Sequence, residues 1–160
     1  MSDPDLATLL AQEERLTFTA FDEAIAWQLG SAMRVAAITE SLPIVISVRR
    51  SGQRLFHAAL PGSSADNDAW IDRKCAVVDR YGHSSYFVGC QFRSRGQDFD
   101  THSRLDTNLF AAHGGAFPVR LGSAGTIGTI AVSGLPQVDD HAFVVRELER
   151  FLTTTGQIDY

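Results

Sequence analysis

Apolar and polar positions follow two different periods along this chain, and the changes of period divide it into elements. Over residues 19 to 40, "TAFDEAIAWQLGSAMRVAAITE", Ile25, Leu29, Met33 (or Ala32) and Ala36 recur at three-to-four spacing. That is the period of an amphipathic helix, and Thr19 or Asp22 can cap it. After Leu42 the period drops to two. Ile44, Ile46 and Val48 alternate, Ser51-Gly52 supplies a turn, and Leu55 to Leu60 return before Pro61-Gly62. This predicts a hairpin. Helical spacing resumes over residues 66 to 83, where Trp70, Lys74, Val77, Val78 and Tyr81 share a stripe and Gly82 is a stop. A second short helix is expected over residues 84 to 94, capped by Ser84 or Ser85.

Residues 95 to 102, "RGQDFDTH", read as a polar loop, and "SRLDTNLFAAH", residues 103 to 113, as a short helix with Ser103 as its cap and Asp106 three positions on. A second hairpin follows, with Phe117 to Leu121 and Thr126 to Ser133 joined by Gly122 to Gly125. Gly128 inside its second strand predicts close approach of another backbone or a helix. Over residues 138 to 152, Val144, Val145, Leu148, Phe151 and Leu152 form one helical face, with Asp139 as the expected cap. At the other end, residues 3 to 14 predict a short helix with Leu6, Leu9 and Leu10 on one side, packed on a partner or fraying.

The order is helix, helix, hairpin, helices, hairpin, helix. Hairpins make antiparallel neighbours, so the fold class is α+β: a mainly antiparallel sheet covered by helices. The chain has 160 residues and shows no repeat or low-complexity linker, which predicts one domain over residues 1–160 with residues 1–15 as a helical extension.

Composition narrows the function classes. A net charge of −5 gives no basic field for nucleic acid or an anionic membrane. The acidic start "MSDPDLATLL" does not resemble a signal peptide, and no apolar run approaches the roughly 20 residues of a membrane span. Cys75 and Cys90 are not at metal spacing and read as buried reduced thiols, so a cytoplasmic location is expected.

Candidate chemistry is sparse. "GSAGTIG" matches neither phosphate-loop pattern and is better read as a hairpin turn; GxSxG and HExxH are absent. Five histidines, at 57, 83, 102, 113 and 141, are scattered, no two at the spacing of three or four that a helical metal pair needs. His141 lies beside Asp139 and Asp140 at a helix start, where capping chemistry accounts for the aspartates and a pocket role is the alternative. His113 stands in "AAHGGAFPV", residues 111 to 119. Gly114-Gly115 would let the chain turn sharply and expose bare amides, and the imidazole could ligate iron or bind a carboxylate. The plainer reading makes the segment a helix-to-strand joint. Lys74 is the only lysine beside 13 arginines, and it falls on a buried stripe: either a placed charge or a snorkelling side chain.

"HGGAFPV", "GTIGTIAVSGLPQVDDHAFVVREL", "LPIVISVRRSGQRLFHAALPG" and "RKCAVV" together resemble the GlcG/HbpS-like family of haem-degrading-domain proteins, in its uncharacterised small cytoplasmic branch. The likeness runs from about residue 20 to 152. It implies a profilin-like α-β-α sandwich on a five-stranded, mainly antiparallel sheet, assembled into dimers and then larger rings. Family members include haem-binding proteins, a domain fused to cobalamin adenosyltransferases and proteins without established activity. The family's pocket maps onto Lys74, Gly114, Gly115, Phe117, Pro118, Ser133, Gly134 and Asp140, and His113 matches the uncharacterised branch.

These observations predict a cytoplasmic homo-oligomer that binds a small ligand, with haem or another tetrapyrrole as the first cofactor to test. His113 would be the axial ligand, and Lys74 or a nearby arginine would meet a propionate. Two other classes remain open: an oligomeric interaction module without a ligand, and an enzyme on a small carbonyl or carboxylate metabolite using Lys74, His113 and Asp140. Neither nucleic acid nor membrane is an expected partner.

Overall fold

The computed structural model describes residues 2–159. Its elements are α1 (Leu6–Arg15), α2 (Glu23–Thr39), β1 (Val45–Arg50), β2 (Gln53–Ala59), α3 (Ala65–Tyr81), α4 (Ser85–Ser94), α5 (Phe99–His102), β3 (Ala116–Arg120), β4 (Thr126–Ser133) and α6 (Gln137–Thr154). The strands form one antiparallel sheet in the order β2-β1-β4-β3. It has four strands, not the five expected. Beyond β3, Phe18 makes a single parallel bridge to Leu121 before the chain turns into α2, too short a pairing to count as a strand.

Alternation along the strands sorts the two faces. Ile46, Val48, Phe56, Phe117, Val119, Ile130 and Val132 point to one side, where Leu29 and Met33 of α2 and Val144 and Leu148 of α6 close over them. The opposite parity, Val45, Ala116 and Ala131, meets Ile71, Cys75 and Val78 of α3. The small alanines on this side let α3 lie close to the central strands. The layers are therefore helix, sheet, helix.

Local chemistry explains most boundaries. Asp22 accepts a hydrogen bond from the Ile25 amide at 2.8 Å and starts α2; Ser84 Oγ accepts one from the Phe87 amide at 3.0 Å and starts α4. Gly82, with φ 72°, ends α3 in the left-handed conformation. At Gly128 the neighbouring strand does press close: a Cβ there would stand 2.0 Å from the Arg49 carbonyl oxygen.

Four local expectations are corrected. Residues 103 to 113 do not form a helix, because Arg104 adopts φ 60° and Asp106 accepts from the Asn108 amide at 2.8 Å, closing a turn instead. The segment expected to be a loop carries α5, anchored by buried Phe99 between Tyr81 and Phe92. Asp139 does not cap α6; Pro136 holds the cap position, and Asp140 reaches back to the Leu135 amide. Helix α1 packs on its own chain, with Leu9 buried against α4 and Glu13 completely enclosed.

Candidate functional site

A cavity of about 240 Å³ opens where β4 ends and α6 begins. Its walls come from the first half of α3 (Asn67, Trp70, Lys74), from the lead into β3 (His113, Gly114) and from the β4–α6 connection (Ser133, Gly134, Leu135, Gln137, Asp140). The layered fold brings these three stretches together. Helix α3 crosses the small-residue face of the sheet, and the connection from β4 to α6 carries the chain past its end.

At the base lies Lys74, 2% exposed. Its ammonium donates to the Val132 carbonyl at 2.7 Å, the Gly114 carbonyl at 3.0 Å and Asp140 Oδ2 at 3.3 Å. All three ammonium hydrogens thus have acceptors within the chain. Burial pushes the lysine's pKa down, against the pull of the Asp140 charge. Burial likewise raises Asp140, to about 6, although Lys74 and the backbone amide of Leu135, 3.1 Å from Oδ1, both favour its charged form. Asp140 therefore titrates closer to neutral pH than an ordinary aspartate.

Gly115 packs directly on this base. Its φ is 132°, and a Cβ would stand 2.4 Å from Lys74 Nζ and 2.6 Å from the Val132 carbonyl oxygen. Gly114 is held from the other side, its amide donating to Gln137 Oε1 at 3.0 Å. Asn67 accepts from the Ser64 amide at 2.9 Å and turns its NH₂ toward Ser133 Oγ, 3.4 Å away.

His113 stands at the mouth, exposed, with its ring centroid 5.0 Å from that of Trp70. Its partial burial lowers its pKa, so the imidazole is neutral and able to ligate or accept at neutral pH. Arg73 covers Trp70, with Cζ 4.1 Å from the ring centroid.

Among the residues marked out by sequence, Lys74, His113, Gly114, Ser133, Gly134 and Asp140 share this cavity, and Gly115 lies beneath it. Phe117 and Pro118 do not line it. Phe117 points to the opposite face, into the core under α6, and Pro118 pairs with Thr129 within the sheet. Asn67 and Gln137 were not singled out by sequence. The Ser64-x-x-Asn67 spacing of a capping box was a signal for the first; Gln137 carried none.

His141 is placed one layer deeper. It is buried among Tyr86 and Phe117, with Nε2 2.8 Å from Gln12 Oε1 and Nδ1 without a partner among the described residues. Burial takes its pKa down to about 4. Among the described residues no group of three or more His, Cys, Asp or Glu could hold a metal ion, and no helix is long and apolar enough to cross a membrane.

The family described as "Haem degrading protein HbpS-like" matches residues 21–149. This chain belongs to the HbpS-like family. Curated relatives include a UPF0303 protein of Streptomyces avermitilis, 55% identical over 150 residues, covering 94% of this chain and 92% of that protein. One from Acidobacterium capsulatum is 47% identical over 156 residues, covering 98% and 92%. Among solved structures, the Ybr137w protein superposes with a TM-score of 0.87 at 30% identity over 94% of this chain and 90% of that one. The haem complex of PduOC superposes at 0.66 with 15% identity over 81% and 94%, a likeness of fold alone. In this chain the fold places the end of β4, the start of α6 and α3 around a small polar cavity.

Proposed function

We propose that this chain is a cytoplasmic, homo-oligomeric protein that binds a small polar ligand in the cavity above Lys74 and Asp140. The observation that carries the reading is an open cavity whose floor is a charged, fully hydrogen-bonded pair. Burying two charges is costly, and here the cost holds three chain segments around a space open to solvent. Two features support the remaining terms. Cys75 and Cys90 are buried free thiols, as suits a reducing compartment. Trp27 and Val35, each 64% exposed, and Ile38, 46% exposed, lie on the outer side of α2 as an apolar row suited to a second copy.

Ligand-observed NMR with a panel of small polar metabolites tests the binding. Saturation-transfer signals are expected with the wild-type chain and should vanish in Ser133→Leu, which fills the cavity. No signal with the wild type, or signals that persist in the variant, would overturn the reading.

A second reading, haem binding, rests on His113. A tetrapyrrole does not fit inside: the cavity is smaller than the roughly 300–1,000 Å³ of sites that enclose drug-sized ligands, and its lining is mostly polar. At the mouth, however, His113 offers a neutral imidazole, Trp70 a flat apolar surface and Arg73 a partner for a propionate. Haem held there would supply an iron with an open coordination position. A haemin titration decides this reading: a Soret shift that His113→Ala abolishes is expected, and an identical spectrum in both proteins would sink it.

A further inference from the structure

Resting on the cavity reading above, the hydrogen-bond pattern of the walls assigns the ligand's chemical class: we infer that the cavity takes a small oxoanion, a carboxylate or a phosphate-like group.

The wall atoms differ in what they have left to offer: apart from the His113 imidazole at the mouth, the side-chain acceptors each already hold a donor. Gln137 Oε1 takes the Gly114 amide at 3.0 Å, and Asn67 Oδ1 takes the Ser64 amide at 2.9 Å. The carbonyls of Gly114 and Val132 take Lys74 at 3.0 and 2.7 Å. Asp140, the only carboxylate among the described lining residues, uses Oδ1 for the Leu135 amide and Oδ2 for the Lys74 ammonium.

The donors are not spent. A backbone N–H fixes which end of each side-chain amide is oxygen, so the NH₂ groups of Gln137 and Asn67 are turned away from those amides. Among the described residues, Gln137 Nε2, the Ser133 hydroxyl hydrogen and the Trp70 indole N–H donate to no atom of the chain, and Asn67 Nδ2 reaches only Ser133 Oγ, at 3.4 Å. Charge points the same way. Lys74 offsets Asp140, the 18-residue helix α6 begins at the wall, and Arg73 stands over Trp70. A wall with more free donors than free acceptors disfavours cations and suits a ligand that brings acceptors.

Isothermal titration of the full chain with acetate, phosphate and neutral acetamide tests the class, acetate and phosphate separating the two sources of the same chemistry. At least one anion should bind, and acetamide should bind roughly tenfold or more weakly. Gln137→Glu keeps the oxygen that receives the Gly114 amide but replaces the NH₂ by a charged acceptor. It should weaken the anion by roughly tenfold or more while leaving the thermal midpoint within the spread of surface variants. Should that variant unfold, Ser133→Ala removes a donor without adding charge and should weaken the anion as well. Acetamide binding as tightly as the anions, or anion affinity unchanged in a folded variant, overturns the class and leaves small-ligand binding standing. If the metabolite panel and all three probes fail with wild-type protein, the cavity reading itself has failed.

Discussion

Lys74 Nζ and Asp140 Oδ2 lie 3.3 Å apart, both side chains almost wholly buried, and 66 residues of sequence separate them. Through this contact α3 grips the start of α6, while the same ammonium grips β4 at Val132 and the lead into β3 at Gly114. Lys74→Met should therefore cost about 3–5 kcal/mol, the usual loss when one partner of a buried pair is removed. The double variant Lys74→Met with Asp140→Leu should recover the charge part only. The two carbonyls would still lack donors and the Leu135 amide its acceptor, at about 1–3 kcal/mol each. Urea unfolding of the wild type and both variants measures the difference; full recovery in the double variant would show that these backbone contacts contribute nothing.

Two buried groups make opposing contributions to stability in acid. Asp140 titrates near pH 6 in the folded chain against an ordinary value of 3.8, so between those values the folded state holds the extra proton and stability falls as pH rises. His141 titrates near 4 against an ordinary 6.5, so there the unfolded state holds the extra proton and stability rises with pH. Each effect is on the order of 3 kcal/mol, since every tenfold change in proton affinity corresponds to about 1.4 kcal/mol. The two nearly cancel between about pH 4 and 6. Thermal midpoints across that range should fall with rising pH in His141→Gln and climb in Asp140→Asn, with the wild type flatter than either. Parallel slopes in all three proteins would refute the assignment.

Elements governed by neighbours in sequence were legible. The hairpin turn at Ser51-Gly52 needs two residues at positive φ, 49° and 82°, and the alternation on either side sets which face is buried. The cavity was legible where unusual residue types marked it: the lone lysine, and His113 with its two glycines. What failed depends on distant partners. Ser103 and Asp106 form a plausible capping pair, yet Phe99 finds a hydrophobic seat among Tyr81 and Phe92, and the helix is capped at Asp98, five residues earlier. Phe117 and Pro118 adjoin the glycines in sequence, but strand alternation and pairing carry them away from the cavity. Glu13 and His141 are polar residues on amphipathic helices, and contacts distant in sequence bury them, among them hydrogen bonds to residues 70 and 129 positions away.

Gly115 offers a sharper test of the cavity floor than any wall residue. Alanine there meets both a φ of 132° and the Lys74 ammonium, so the strain and overpacking costs add, at about 1–3 kcal/mol each. Gly122 is the control: its φ is 47° and nothing lies within 4 Å of a new Cβ. Gly115→Ala should lose several times more stability than Gly122→Ala in denaturant melts, and it should also weaken ligand binding by displacing Lys74. Equal losses would mean that the floor yields.

The N-terminal helix should behave as part of the domain. Glu13 is fully buried and accepts from the Ser84 amide and His83 Nδ1, each at 2.6 Å, and from Arg120 at 3.0 Å. Helix α1 thereby ties together the α3–α4 corner and the end of β3, and Leu9 closes the apolar cluster beneath α4. Glu13→Ala strips a buried backbone amide of its acceptor and leaves partly buried Arg120 with the Gly82 carbonyl but no charge partner, at a cost of about 3–5 kcal/mol. Deleting residues 1 to 15 removes the same acceptor and the apolar cover as well, so the truncated chain should melt lower than Glu13→Ala. Hydrogen exchange should then quicken first across α4, which loses its lid, while β1 and β4 stay protected. A truncated chain with the wild-type melting temperature would reduce α1 to an appendage, and the burial of Glu13 would have no energetic consequence.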